Sequence, residues 1–129
     1  MAGQLYLIDD DLMFAQRARS AAIRLGVGIE SVAAEAAPTR AWHDTDVVLL
    51  QATLHPERQL ALVEGLSGSR PAPIVVAVTG HLETALRQRL RGYGVRLAAH
   101  SAMDRVIARA LGLSDGDAAR DHPAPPDSP

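Results

Sequence analysis

Four short, nearly uninterrupted apolar runs set the limits on what this chain can fold into: Leu5–Ile8, Val47–Leu50, Ile74–Val78 and a weaker Val95–Ala99. Runs of this length without polar alternation suit strands covered on both faces, and that means a parallel sheet. Val27–Ala33 is a poorer strand and fits a sheet edge. Helical patterns lie between the runs. Phe14, Ala18, Ala21 and Leu25 form one stripe, with Arg17, Arg19 and Arg24 off it. Leu62, Val63 and Leu66 mark a helix starting at Pro56, where the missing N–H is harmless. Leu82, Leu86, Leu90 and Tyr93 form a third stripe, and Val106, Ile107, Ala110 and Leu111 a last one. Ser101 followed by Asp104 reads as a capping box for that last helix. Glu35–Asp44 is ambiguous, since Pro38 suits only the first turn of a short helix. Strand and helix alternate five times, which predicts an α/β domain with a doubly wound, five-stranded parallel sheet and right-handed crossovers.

Composition narrows the chemistry. The 129 residues suffice for one domain, and 47% hydrophobic with 22% charged residues is an ordinary globular balance. There is no Cys, which excludes disulfides, thiolate metal sites and thiol nucleophiles. All 13 basic residues are Arg, so Schiff-base chemistry and a phosphate-loop lysine are excluded too. A net charge of −2 gives no bulk attraction to nucleic acid or a membrane surface. The start of the chain has no basic region followed by a long apolar stretch, so the expected location is cytoplasmic. After Leu113 the composition changes to SDGDAARDHPAPPDSP, which divides the chain into a domain, 1–113, and a disordered Pro/Asp-rich tail, 114–129. Three Asp follow the first strand where a phosphate-binding loop would need glycines, which argues against a nucleotide-binding enzyme.

In an open parallel sheet the functional groups gather at the carboxyl ends of the strands. Here those are Asp9, Asp10 and Asp11 after the first, Gln51, Ala52 and Thr53 at the third, Thr79 and Gly80 at the fourth, and His100 and Ser101 at the fifth. On these positions, residues 4–112 resemble the receiver domain of two-component response regulators, a flavodoxin-like fold. The resemblance implies that Asp9 and Asp10 match the family's Mg²⁺-binding acidic pair. Gln51 stands at the position of the phospho-accepting Asp, Thr79 matches the residue that senses phosphorylation, and His100 with Ser101 replaces a Lys-Pro pair. Pro56 falls one place later than the Pro that usually follows the acceptor.

The departures have plain chemistry. An acyl phosphate needs a carboxylate nucleophile, and the Gln51 amide is not one. Removing one negative charge also weakens a site for a hard cation. Asp9, Asp10, Gln51, Thr79 and His100 are therefore expected to form a degenerate phosphorylation site without catalytic residues, needing no cofactor and holding at most a weak Mg²⁺ at Asp9 and Asp10. One of the three Asp is expected to cap the first helix. Gln51 either hydrogen-bonds Thr79 or Asp10 as a neutral mimic or is a plain substitution. Without Lys, no side chain is expected to fill the vacant cationic position.

Six Arg against Asp104 give Arg87–Arg109 a balance of +5. Receivers use their fourth helix, fifth strand and fifth helix for dimers and partners, so the resemblance marks Arg87, Arg91, Tyr93, Arg96 and Arg105 as the surface for a protein partner or a second copy. Neither nucleic acid nor membrane is expected as a direct partner. Trp42 reads as a half-buried packing residue or a partner anchor, while His43, His55, His81 and His122 read as surface residues. The expected function is a non-enzymatic, phosphorylation-independent signalling or regulatory module. The alternative is a receiver-fold sensor with a small-molecule ligand in the vacated pocket.

Overall fold

A computed structural model describes residues 3–113. The tail expected over 114–129, and His122 within it, lie outside the described residues. The strands are β1 Leu5–Ile8, β2 Ile29–Val32, β3 Val47–Gln51, β4 Ile74–Val78 and β5 Arg96–Ala98. They form one parallel sheet in the order β2-β1-β3-β4-β5, with β2 and β5 at its edges. All four residues of β1 are buried, as are the first four of β3 and the last four of β4. The continuous apolar runs are the central strands, because only these are covered on both faces.

The helices are α1 Leu12–Leu25, α2 Pro56–Ser67, α3 Thr84–Arg91 and α4 Met103–Ala110. Alternation along the strands divides the core in two. Leu5, Leu7, Val47, Leu49, Val76 and Val78 pack on one face with Phe14 and Ala18 of α1 and with Met103 and Ile107 of α4. Tyr6, Ile8, Val48, Leu50, Val75 and Ala77 pack on the other with Leu60, Val63 and Leu66 of α2 and Leu90 of α3. Phe14 and Leu49 are almost completely buried, and truncating either to Ala would cost about 2–5 kcal/mol.

Two local expectations need correction. The second crossover carries no α-helix: Ala37–Thr39 forms a single 3₁₀ turn. Pro38 supplies no N–H and disfavours helical geometry at the residue before it. Trp42 fills the space instead. It is buried rather than half-buried, its ring sits edge-on to Tyr6 at 5.0 Å, and its Nε1 donates to the Ala37 carbonyl at 3.0 Å. The capping box at α4 does not form. Ser101 lies inside the 3₁₀ turn His100–Ala102, so the N-cap residue is Ala102, which has no side-chain acceptor, and Asp104 is engaged by Arg24 of α1 through Nε at 2.6 Å and Nη2 at 2.9 Å. A bidentate bond to a guanidinium outcompetes a single backbone N–H for one carboxylate.

Candidate functional site

The parallel register brings the ends of the central strands level. Val78 lies between Gln51 of β3 and Ala98 of β5, and beyond them Ala52 N–H donates to Val78 while Thr79 N–H donates to Ala98. On the other side, Leu7 pairs with Leu49, and Asp9 N–H donates to Val32 of β2. Asp9, Asp10, Gln51 and Thr79 thus stand along one edge of the sheet, as the strand-end reading expects. His100 begins a 3₁₀ turn, His100–Ala102, just after β5.

Asp11 is the helix cap. It is the N-cap residue of α1, and its Oδ1 accepts from Met13 N–H at 3.1 Å. Asp10 points the other way, towards α2. Its Oδ2 accepts from Arg58 Nη2 at 2.8 Å and from Gln59 Nε2 at 3.1 Å. Gln59 is buried, and the same Nε2 donates to the Gln51 carbonyl at 2.7 Å. Asp9 accepts from Arg19 Nη2 at 3.3 Å, and Arg19 also donates to Ser31 Oγ. As arranged, the acidic pair does not fit a divalent cation. Its two carboxylates face guanidinium groups of different helices, and among the described residues no three His, Cys, Asp or Glu converge on one point.

Gln51 takes neither partner expected of it. Thr79 and Asp10 are already engaged, and Gln51 Oε1 is buried without a hydrogen-bond donor among the described residues. Thr79 is fully buried, and its Oγ1 accepts from Arg87 Nη1 at 2.6 Å. The loop after β4 is pinned by Glu83, whose Oε2 accepts from Gly80 N–H and from Thr53 Oγ1, both at 2.8 Å. That carboxylate joins the loop after β4 to the loop after β3.

Although the chain has no Lys, a guanidinium does stand beside His100. Arg17 of α1 brings Nη1 to 3.4 Å from His100 Nδ1. A guanidinium has no acceptor, so in this contact Arg17 is the donor and Nδ1 the acceptor. Arg17, His100 and Gln51 line a cleft of about 380 Å³ with Asp11, Met13, Phe14 and Leu54. It adjoins a groove of about 450 Å³ between α1 and α4, sharing Met13, Arg17 and His100. The space near the site therefore opens on the α1 side, while Arg58 and Gln59 occupy the α2 side.

The fold matches solved structures. The chain is similar to a response regulator from Colwellia psychrerythraea, with a TM-score of 0.66, 10% identity and 85% of this chain covered against 98% of that one. It is also similar to a response regulator receiver protein from Burkholderia phymatum, with a TM-score of 0.63, 18% identity and coverage of 87% and 97%. The chain has the receiver fold. No protein-family model and no curated protein matches the sequence. Asp9, Asp10, Gln51, Thr79 and His100 lie at or just past their strand ends, but four of their contacts come from arginines that strand-end reasoning passes over. Arg17 and Arg19 belong to α1, Arg58 to α2 and Arg87 to α3. The available signal was position: Arg17 flanks the apolar stripe of α1, and Arg58 lies in the first turn of α2, at the sheet edge that carries the site.

Of the proposed partner residues, Arg91, Arg96 and Arg105 are exposed and Tyr93 is 39% exposed, whereas Arg87 is partly buried against Thr79. Arg89, between them in sequence, pairs with Glu57 of α2 at 2.9 Å, which holds the Glu57 carboxyl below its ordinary range. Exposed His43, His55 and His81 sit in loops, as expected. Among the described residues no helix is long and apolar enough to cross a membrane.

Proposed function

We propose that this chain is a non-enzymatic signalling module that works through protein contacts and does not depend on phosphorylation. One observation carries the reading: the strand end that would present an acceptor carboxylate presents Gln51, an amide with no nucleophilic oxygen for an acyl phosphate. The residue that would respond supports it, because the Thr79 hydroxyl is already held by Arg87. In this reading the working surface is the exposed cationic set Arg91, Arg96 and Arg105 around β5, with Tyr93 beside it, and the partner is an acidic protein surface or a second copy. Arginine and tyrosine are side chains that concentrate binding energy at interfaces.

The test uses the full chain with Mg²⁺ and a small phosphoryl donor such as acetyl phosphate. Intact mass should stay unchanged, and self-association measured by sedimentation should be the same with and without the donor. A stoichiometric gain of one phosphoryl group would end the proposal. Charge reversal at Arg91 and Arg96 should weaken retention on an immobilised acidic peptide, more so at low salt. Equal retention at all salt concentrations would remove this surface from the reading.

A second reading, a small-molecule sensor, is favoured by the cleft at Arg17, His100 and Gln51, two of which belong to the degenerate site. Arg17 has no carboxylate partner among the described residues, and its planar fork suits a small oxyanion. Titration with acetate and with inorganic phosphate should then shift the amide resonances of Arg17, His100 and Leu54. Shifts that persist in Arg17→Gln would exclude it.

A further inference from the structure

We propose that Arg58 is a resident counter-cation: its guanidinium takes the place beside Asp10 that a divalent ion would need, so that the site holds a single metal-independent state. The Asp10 side chain is only 15% exposed, and a carboxylate so far removed from water requires a cation or a set of donors. It has both from the protein. Arg58 Nη2 and Gln59 Nε2 converge on the same oxygen, Oδ2, at 2.8 and 3.1 Å. Gln59 also spans to the Gln51 carbonyl, so consecutive residues of the first turn of α2 tie the ends of β1 and β3 together.

A divalent ion entering here would meet three obstacles at once. Arg58 would have to leave Oδ2, the Asp9 carboxylate would have to turn away from Arg19, and the end of β3 offers an amide in place of a third charge. Mg²⁺ sheds its waters reluctantly and repays the loss only on hard anionic oxygens. A guanidinium is permanently charged and tethered, so its local concentration does not vary with the cell's ionic composition. The link from α2 to β1 is thus built from a covalent part of the chain rather than an exchangeable ion. This goes beyond independence from phosphorylation and does not rest on it, because a site could lose its acceptor and still bind the metal.

Cation and guanidinium compete for one carboxylate, and competition is the measurable consequence. The full chain is titrated with Mn²⁺, followed by paramagnetic broadening of backbone amides, and with Mg²⁺, followed by thermal melting. In the native protein, Mn²⁺ should cause no saturable broadening at 9–11 or 51–53, and Mg²⁺ should leave the melting temperature unchanged. In Arg58→Gln, Mn²⁺ should broaden those amides with an affinity about tenfold or more above the native protein, and Mg²⁺ should raise the melting temperature. Arg58→Lys keeps the charge and should behave like the native chain. The same comparison in a Gln51→Asp background restores a third carboxylate. There too the variant lacking Arg58 should bind the ion more tightly than the variant retaining it. Equal affinity with and without Arg58 in both backgrounds, or saturable Mn²⁺ binding by the native protein at 9–11, would overturn the proposal.

Discussion

The Arg87 guanidinium reaches back from α3 to the buried Thr79 hydroxyl, with Nη1 2.6 Å from Oγ1. A hydroxyl at the end of a central strand is fully removed from water, and the side chain that satisfies it comes one turn into the following helix. The β4–α3 connection is closed a second time by Glu83 on Gly80 and Thr53. Both clasps use charged groups, so each is stronger than a neutral hydrogen bond.

Removing the first clasp should loosen this connection without unfolding the domain. Arg87→Ala is expected to cost about 1 kcal/mol, below the usual value for a charged hydrogen bond because part of the guanidinium meets solvent. For a domain of this size that is a fall of roughly 4 °C in melting temperature. Resonances of residues 79–83 should broaden while those of α1 stay sharp. Uniform broadening over the whole sheet would show that Arg87 supports the core instead.

Glu83→Ala should act on exchange more than on stability. Gly80 N–H loses its acceptor, so its hydrogen-exchange protection should drop while that of Val76 and Ala77 in β4 is retained. Glu83→Gln, which keeps an acceptor oxygen, should restore most of the protection. Failure of the Gln variant to do so would mean that charge, rather than geometry, closes the loop.

The Arg24–Asp104 pair joins α1 to α4 and carries a definite pH signature. The Arg24 hydrogen bonds, the largest influence, together with its charge hold the Asp104 carboxyl below its ordinary value of 3.8, against a smaller opposing effect of burial. The folded form therefore binds this proton less readily than the unfolded form. Its contribution is complete above the ordinary value and is lost as pH falls through the depressed folded value. With both side chains more than a third exposed, solvent screening limits it to about 0–1 kcal/mol. Asp104→Asn should flatten the stability profile below about pH 4 and change little near neutrality. An unchanged acid limb would assign the pH dependence to other carboxylates.

Trp42 should report on the second crossover. It is the only tryptophan, buried on Tyr6 and bonded to the Ala37 carbonyl, with the Arg40 guanidinium 4.6 Å from the Tyr6 ring and 5.4 Å from its own. Trp42→Phe keeps an aromatic ring but leaves the Ala37 carbonyl with the Arg40 N–H as its remaining donor, for an expected loss of about 1 kcal/mol by chemical denaturation. A loss under about half that value would indicate that water replaces the indole.

Residue order alone determined the sheet and its contents. Continuous apolar runs have no polar face to offer, so burial on both sides and parallel pairing follow from the composition of β1, β3 and β4. The polar residues just past those runs must then sit at one edge, which is why Asp9, Asp10, Gln51, Thr79 and His100 were legible. Tertiary structure decided what those residues touch. Arg17, Arg58 and Arg87 are distant from most of their partners in sequence, and a long guanidinium side chain can reach any of several acceptors within its radius. The choice between a capping bond and Arg24 for Asp104, or between a metal and Arg58 for Asp10, depends on which helix packs against which strand end. Strand composition is a local property of the chain, whereas the pairing of flexible charged side chains is settled only when the helices have docked.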